Sequence, residues 1–209
     1  MTRLIPGILA MAAIVVASNI LVQFLLGDWL TWGAFTYPFA FLVTDLTNRL
    51  QGPAAARRVI VAGFVVGVIC SLIGSQIHGE FGPLVSFRVA LGSGLAFLAA
   101  QLTDVAVFNR YVAGRWWKAP FVSTLVGASM DTAIFFTTAF AAGLSFLEPG
   151  NDVSWANEPV PLLGFGPMAP LWVSLGTADL SVKLLLALVA LVPFRVIVSQ
   201  HLGNTARAG

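Results

Sequence analysis

The chain has few charged residues, two histidines and one cysteine. Asp, Glu, Lys and Arg make up 10% of its 209 residues, whereas about a quarter is usual in soluble domains. So few polar groups could not cover the surface of a soluble protein of this size, which excludes an ordinary soluble enzyme, a disordered chain and a free nucleic-acid-binding domain. Because Cys70 stands alone, an intramolecular disulfide and a thiolate metal cluster are excluded too.

What the chain has instead is apolar sequence, with 58% hydrophobic residues and a mean hydropathy of +0.89. Six segments are long enough to cross about 30 Å of hydrocarbon at about 1.5 Å per residue. The predicted fold is an all-α integral membrane protein, a single domain over residues 1–209 that contacts the lipid bilayer. Its helices are predicted at residues 4–26, 29–48, 59–77, 89–108, 121–143 and 171–198.

The basic residues predict the orientation of this six-helix bundle. Nearly all of them fall at the termini or in alternate loops, which six crossings place on one side: Arg3, Arg49, Arg57, Arg58, Arg110, Arg115, Lys118, Arg195 and Arg207. Cytoplasmic loops carry an excess of Lys and Arg, so both termini are predicted to be cytoplasmic. The proline-containing loop at residues 144–170 is predicted outside, and Arg88 is the exception to the pattern.

Motifs of enzymes are missing from the sequence. His78 and His201 are predicted at or beyond the membrane edge, so no histidine is available at membrane depth to serve a nucleophile, a metal ion or haem. No Walker A motif or Gly-x-Ser-x-Gly motif occurs. We therefore expect no catalysis and no cofactor, and the chain itself cannot hydrolyse ATP.

Ionisable residues inside the predicted spans are the main functional signal. Asp45, Asp104, Asp131, Asp179 and Lys183 all lie there, and each costs roughly 2.5–3.5 kcal/mol to insert on biological scales. Such residues face the bundle interior or a water-filled cavity. Polar and aromatic residues share helix faces with them, which is the composition of a pocket for a flat, hydrogen-bonding small molecule.

Several of these residues also have a purely structural interpretation. Asp45 and Arg49, like Asp179 and Lys183, are four residues apart and could form ion pairs within one helix. Asp131 has no basic residue within a turn, so a functional role is favoured for it, with pairing to Lys183 across the bundle as the alternative. Asp131 is also the preferred carboxylate for taking up a proton, whereas Asp45 and Asp104 are poor candidates, because basic residues near the cytoplasmic boundary favour their charged forms.

Two further patterns concern helix geometry. Gly63, Gly67, Ser71 and Ser75 place a small residue at every fourth position, which predicts a face for close helix packing. Pro38 predicts a kink in the second helix.

Three stretches resemble one known family. Tyr-Pro-Phe-Ala-Phe-Leu-Val-Thr-Asp (37–45), Gln-Leu-Thr-Asp (101–104) and Met-Asp-Thr-Ala-Ile-Phe-Phe (130–136) are similar to the pattern of queuosine precursor transporters, in the vitamin uptake transporter group. The resemblance implies six helices in the bacterial inner membrane. It also implies import of 7-cyano-7-deazaguanine or 7-aminomethyl-7-deazaguanine for the queuosine modification of tRNA.

The candidate ligand site combines the matching positions with polar and aromatic residues of the same faces. The resemblance carries over Asp45, Gln101, Asp104, Asp131 and Thr132, and the helix faces add Asn19, Gln23, Phe97 and Phe135. Two alternatives stay open: a substrate-binding subunit of an energised vitamin uptake complex, and a structural membrane protein without a ligand. The preferred precursor, the coupling ion and self-association into a homo-oligomer are also left open.

One short pattern occurs twice. Thr44-Asp45 followed by Asn48-Arg49 recurs as Thr103-Asp104 followed by Asn109-Arg110, with two extra residues in the second copy. Both copies end helices that are predicted to run from outside to inside, which suggests a duplicated hairpin in the same orientation.

Overall fold

The computed structural model describes residues 4–80 and 82–207, with side chains through His201. Seven α-helices are present in this part of the chain: α1 (Ile5–Leu21), α2 (Gly33–Thr36), α3 (Phe39–Gln51), α4 (Pro53–Gln76), α5 (Phe87–Tyr111), α6 (Lys118–Phe140) and α7 (Leu171–Arg207). Each predicted span therefore corresponds mainly to helix, but the helix predicted for residues 22–26 and 29–32 is wrong, because those residues form turns and a short hairpin. The expectations for Arg3 and for the side chain of Arg207 fall outside what is described.

Four of these helices, α4 to α7, are long and apolar enough to cross a membrane. Helix α1 is apolar but has 17 residues, and the second predicted span is divided between α2 and α3. Helices satisfy their own backbone groups, as hydrocarbon requires. The chain is therefore an all-α membrane protein.

The division of the second span confirms the kink predicted at Pro38. Helix α2 ends at Thr36 and α3 begins at Phe39, because proline lacks the N–H that would continue the hydrogen-bond ladder. A short hairpin of β1 (Leu25–Leu26) and β2 (Leu30–Thr31) connects α1 to α2. The break leaves Tyr37 between two helical pieces, where it faces the interior of the bundle.

Helices α5 and α6 approach each other closely at two glycines. A Cβ on Gly127 would lie 2.8 Å from the Phe41 ring and 3.2 Å from the Ala100 carbonyl oxygen. A Cβ on Gly92 would lie 3.3 Å from the Phe135 carbonyl oxygen. Small residues let helix backbones pack tightly in lipid, so these glycines set the spacing at which α5 and α6 hold their polar side chains.

Arg88 and Glu148 join the ends of α5 and α6. Arg88 is fully buried, and its guanidinium donates to the carbonyl oxygens of Thr138, at 3.0 Å, and Ala141, at 2.6 Å. Carbonyls at a helix C-terminus lack partners within the helix, and a cation is favourable there. Arg88 thus departs from the charge pattern of the loops because it caps a helix.

Glu148 caps the start of α5 in turn. Its carboxylate accepts the backbone N–H groups of Phe87, at 3.1 Å, and Arg88, at 3.0 Å. Partial burial opposes ionisation, but the hydrogen bonds from the Arg88 and Phe87 N–H groups outweigh it and hold the pKa of Glu148 below its ordinary value. The cap is therefore a carboxylate at neutral pH.

Residues 142–170 contain no regular α-helix, as the prolines predict. The segment includes 3-10 turns at Ala142–Leu147, Ser154–Asn157 and Leu162–Gly164, and an antiparallel pair of β5 (Pro159–Pro161) and β6 (Met168–Pro170). A second short pair, β3 (His78–Gly79) with β4 (Gly82–Pro83), connects α4 to α5.

Candidate functional site

A cavity of about 550 Å³ lies between α1, α4 and α5. Its lining runs from Gln76 and Glu148, beside the 142–170 segment, to Tyr37 and Phe97 inside the bundle. Small-molecule sites typically measure about 300–1,000 Å³ and combine apolar walls with a few polar groups. The cavity has the size and the mixed lining of such a site.

The α4 wall of the cavity includes the small residues that the sequence assigned to helix packing. Gly63, Gly67, Ser71 and Ser75 all line the cavity, so this face borders an open space as well as the neighbouring helix. Gly63 does pack closely, since a Cβ there would lie 2.6 Å from Met11 and 3.0 Å from Phe97. Small side chains leave room for a ligand as readily as for another helix, and spacing alone does not distinguish the two.

Tyr37 and Phe97 line the inner part of the cavity. Their ring centroids are 6.4 Å apart and the rings meet edge to face, with Phe41 in a similar contact with Tyr37. On its far side the Tyr37 hydroxyl donates to Asp131 at 2.9 Å. Tyr37 therefore connects the cavity to a buried group of charges, a role that the sequence did not assign to it.

That group, the ion-pair cluster, consists of Asp131, Thr132, Asp179 and Lys183. Lys183 is 4% exposed and donates to Asp131 at 2.6 Å and to Asp179 at 2.5 Å. It also donates to the Thr132 hydroxyl at 3.2 Å, which donates to Asp179 at 2.9 Å. The predicted pairing of Asp179 with Lys183 is confirmed, and the alternative pairing of Asp131 with Lys183 across the bundle also forms.

A second buried group, the carboxylate cluster, consists of Thr44, Asp45, Gln101, Asp104, Ser123 and Thr124. Asp45 is 2% exposed, and Gln101 and Asp104 are fully buried. The Thr44 hydroxyl donates to the Gln101 carbonyl oxygen at 2.5 Å. The structural alternative for Asp45 is wrong, because Arg49 donates to the Val112 carbonyl oxygen instead of pairing with Asp45.

Corresponding residues of the repeated sequence pattern meet in this region. Asp45 and Asp104 interact directly, and the Asn109 amide donates to the Asn48 side-chain oxygen at 3.4 Å. Helices α3 and α5 thus hold matching residues at the same level of the bundle. The sequence contained this signal, but the repeat alone did not show that its two copies touch.

The candidate residues are therefore spread over distinct places. Asn19 and Phe97 line the cavity, and the two polar clusters account for the carboxylates, Gln101 and Thr132. Gln23 is exposed, and the Phe135 ring packs against the rings of Phe136 and Phe140. Across residues 4–80 and 82–207, no group of three or more His, Cys, Asp or Glu side chains is placed to hold a metal ion.

The chain is similar to known membrane transporters over most of its length. The family described as "Putative vitamin uptake transporter" matches residues 31–198. A "Queuosine precursor transporter" from Escherichia coli (strain K12) is 35% identical over 194 residues, 86% of this chain and 79% of the relative. A "Probable queuosine precursor transporter" from Haemophilus influenzae is 33% identical over 174 residues, 78% of this chain and 66% of the relative. No solved structure matches.

Proposed function

The chain belongs to the vitamin uptake transporter family, and we propose that it imports queuosine precursors for tRNA modification. It is a multi-pass protein of the bacterial inner membrane. The proposed substrates are 7-cyano-7-deazaguanine and 7-aminomethyl-7-deazaguanine, bound without a cofactor. The proposed activity is transport, with no catalysis and no nucleic-acid partner.

The proposal includes six membrane crossings in a single domain, with both termini in the cytoplasm. The broken second segment, α2 with α3, counts as one crossing. Arg88 is the exception to the positive-inside pattern. Because its side chain caps α6, its position does not argue against this orientation. The 142–170 segment then lies outside, beside the mouth of the cavity.

The lining of the cavity suits the chemistry of a 7-deazaguanine. The bicyclic ring stacks on aromatic faces such as those of Tyr37 and Phe97. Its lactam N–H and exocyclic amine are neighbouring donors that a single carboxylate or amide oxygen can accept. Asn19 and Gln76 are the amides that line the cavity, whereas Asp131, Thr132 and Gln101 lie beyond Tyr37 and become available to the ligand when that side chain moves.

One observation carries this assignment: the cavity ends at Tyr37, whose hydroxyl donates a hydrogen bond to Asp131 of the ion-pair cluster. A ligand that displaces the Tyr37 hydroxyl would donate to the same oxygen of Asp131 in its place. Binding and opening of the inner path are thereby linked through one side chain. Gln23 and Phe135 lie away from this path, and Asp45 and Asp104 contact each other.

The test is uptake of labelled 7-deazaguanines into liposomes that contain only this protein. Uptake is expected to saturate for one or both precursors, and Phe97→Ala should weaken it more than tenfold. Phe108→Ala is the matched control, because Phe108 is an equally buried ring of α5 that packs against Phe194, away from the cavity. Equal losses in the two variants would contradict the assigned site.

The same liposomes separate the alternatives. Binding without uptake would indicate a substrate-binding subunit that needs an energised complex. Neither binding nor uptake of any 7-deazaguanine would indicate a structural protein. For the topology, single cysteines at Gly150 and Gly114, introduced with Cys70→Ser, should react with an impermeant thiol reagent from opposite sides of the membrane. Reaction from the same side would refute six crossings.

A further inference from the structure

Asp45 of α3 and Asp104 of α5 form a buried pair of carboxyl groups. The two side chains are close enough to interact as a hydrogen-bonded pair. Asp45 also accepts from the hydroxyls of Ser123, at 3.3 Å, and Thr124, at 3.4 Å. Neither oxygen of Asp104 accepts a well-formed hydrogen bond among the described residues, although the Ser123 hydroxyl is close enough to interact with it. The Gln101 amide nitrogen one turn away is also buried without an acceptor.

No cation of the described residues forms an ion pair with these carboxyls. Three basic side chains of this end of the bundle have other partners: Arg49 donates to the Val112 carbonyl, Lys118 lies over the Tyr111 ring and Arg195 lies over the Trp116 ring. Arg57, Arg58, Arg110 and Arg115 at the same end, which the structure also describes, form no ion pair with either carboxyl. Lys183 forms its ion pairs with Asp131 and Asp179. On the side of α7, the small cavity next to Asp45 is lined by Ala187, Ala190, Leu191 and Phe194.

Two adjacent carboxylates without a cation are unfavourable at membrane depth. A single proton removes the difficulty, because one carboxyl then donates its O–H to the other, as in other close carboxyl pairs. The small cavity beside Asp45 and Thr124 has a volume of about 10 Å³, close to what one water needs. The carboxyl pair can therefore hold a proton, and a water in the adjacent cavity can accept it.

We propose that Asp45 and Asp104 share one exchangeable proton, and that this pair is where proton movement is coupled to import. This inference rests on the proposed function. Helices α3 and α5 carry the pair, and about two turns away the same chain segments carry Tyr37 and Phe97 at the ligand cavity. A ligand that spreads these rings moves α3 against α5, and so also separates the two carboxyls.

The cycle balances with one proton per precursor. When the carboxyls separate, the O–H bond of the protonated group breaks and its proton passes to water on the cytoplasmic side. Both groups are then carboxylates, which repel each other and prevent the helices from closing. A proton from the outer side re-forms the O–H bond, and the pair closes again.

The test uses liposomes with the intact protein and a neutral 7-deazaguanine. An outside-acid gradient of about two pH units should drive accumulation up to about 100-fold, since each pH unit per proton is worth about a tenfold ratio. In Asp45→Asn and Asp104→Asn the accumulation ratio should fall to about one, while exchange of labelled for unlabelled ligand at equal pH continues. Asp28→Asn, an exposed carboxylate, should accumulate like the wild type.

The outcomes separate this inference from the proposed function. Exchange without gradient-driven accumulation in the wild type would overturn proton coupling and leave import standing, whereas absence of exchange would overturn both. Full accumulation by the two Asn variants would overturn the assignment to this pair. Independently of any variant, infrared spectra at neutral pH should show the C=O stretch of a protonated carboxyl group, and its absence from the wild-type protein would refute the shared proton.

Discussion

Removing Lys183 should destabilise the protein more than removing either carboxylate that it contacts. Lys183 lies between Asp131 and Asp179, with N–O distances of 2.6 Å and 2.5 Å, and all three side chains are at most 14% exposed. Lys183→Met leaves two buried carboxylates without a cation. Asp131→Asn or Asp179→Asn leaves one complete ion pair, so each should be milder.

The magnitude follows from the two distances. At an effective dielectric constant of about 20, each contact is worth roughly 6 kcal/mol of Coulomb energy. Desolvation of the ions offsets most of it, and breaking a buried pair by removing one partner costs about 3–5 kcal/mol net. Since about 1 kcal/mol shifts the melting temperature of a protein of this size by about 2–4 °C, Lys183→Met should melt at least about 6 °C lower.

Thermal unfolding of the purified protein in detergent measures this order. The decisive variant is the triple substitution of Lys183→Met with Asp131→Asn and Asp179→Asn, which removes every charge of the cluster. It should melt above Lys183→Met alone, because neutral groups need no buried counter-ion. A triple variant less stable than the single one would refute the reasoning, as would a single variant that melts like the wild type.

Three smaller perturbations have defined expectations, each measured as a melting temperature. Glu148→Gln should cost about 0.5–1 kcal/mol of stability at neutral pH. Because the pKa of Glu148 in the folded protein is depressed, the stability difference between wild type and variant should disappear as the pH falls below about 4. A difference that stays constant with pH would contradict the cap. Arg88→Met should cost about 1–3 kcal/mol by leaving two carbonyls unsatisfied, and no loss would show that water replaces the guanidinium. Gly63→Ala should cost about 1–3 kcal/mol through overlap with Met11, whereas Gly67→Ala, whose nearest contact would be 3.6 Å, should change little, so equal effects would argue against close packing at Gly63.

The sequence was sufficient to predict the helices and the class of the protein. Long apolar segments can form little else in a membrane, and the stop at Pro38 follows from a missing N–H. Partners were harder to predict, because charge and spacing report only neighbours within one helix. The Asp179–Lys183 pair was predicted on that basis, whereas Asp45 has its predicted partner one turn away and contacts Asp104 instead.

The preference for Asp131 as the proton carrier also depended on neighbours within one helix. Within α6 it has no basic neighbour, and only the packing of α7 brings Lys183 to 2.6 Å from it. The cavity was equally inaccessible from sequence, since the small residues of α4 suit a helix contact and a ligand alike. Tyr37 was visible on a polar face, but its position between cavity and cluster depends on the break in the second span.

The meeting of the two copies of the repeated pattern has a consequence for variation among relatives. Where Asp45 contacts Asp104 and Asn48 contacts Asn109, a substitution in one copy changes the surroundings of its counterpart about sixty residues away. Internally duplicated sequences usually diverge from each other. These two copies should instead change together. A relative that has lost one of these aspartates should have replaced the other as well, and an aligned set of such sequences would record the contact as a correlated pair of columns.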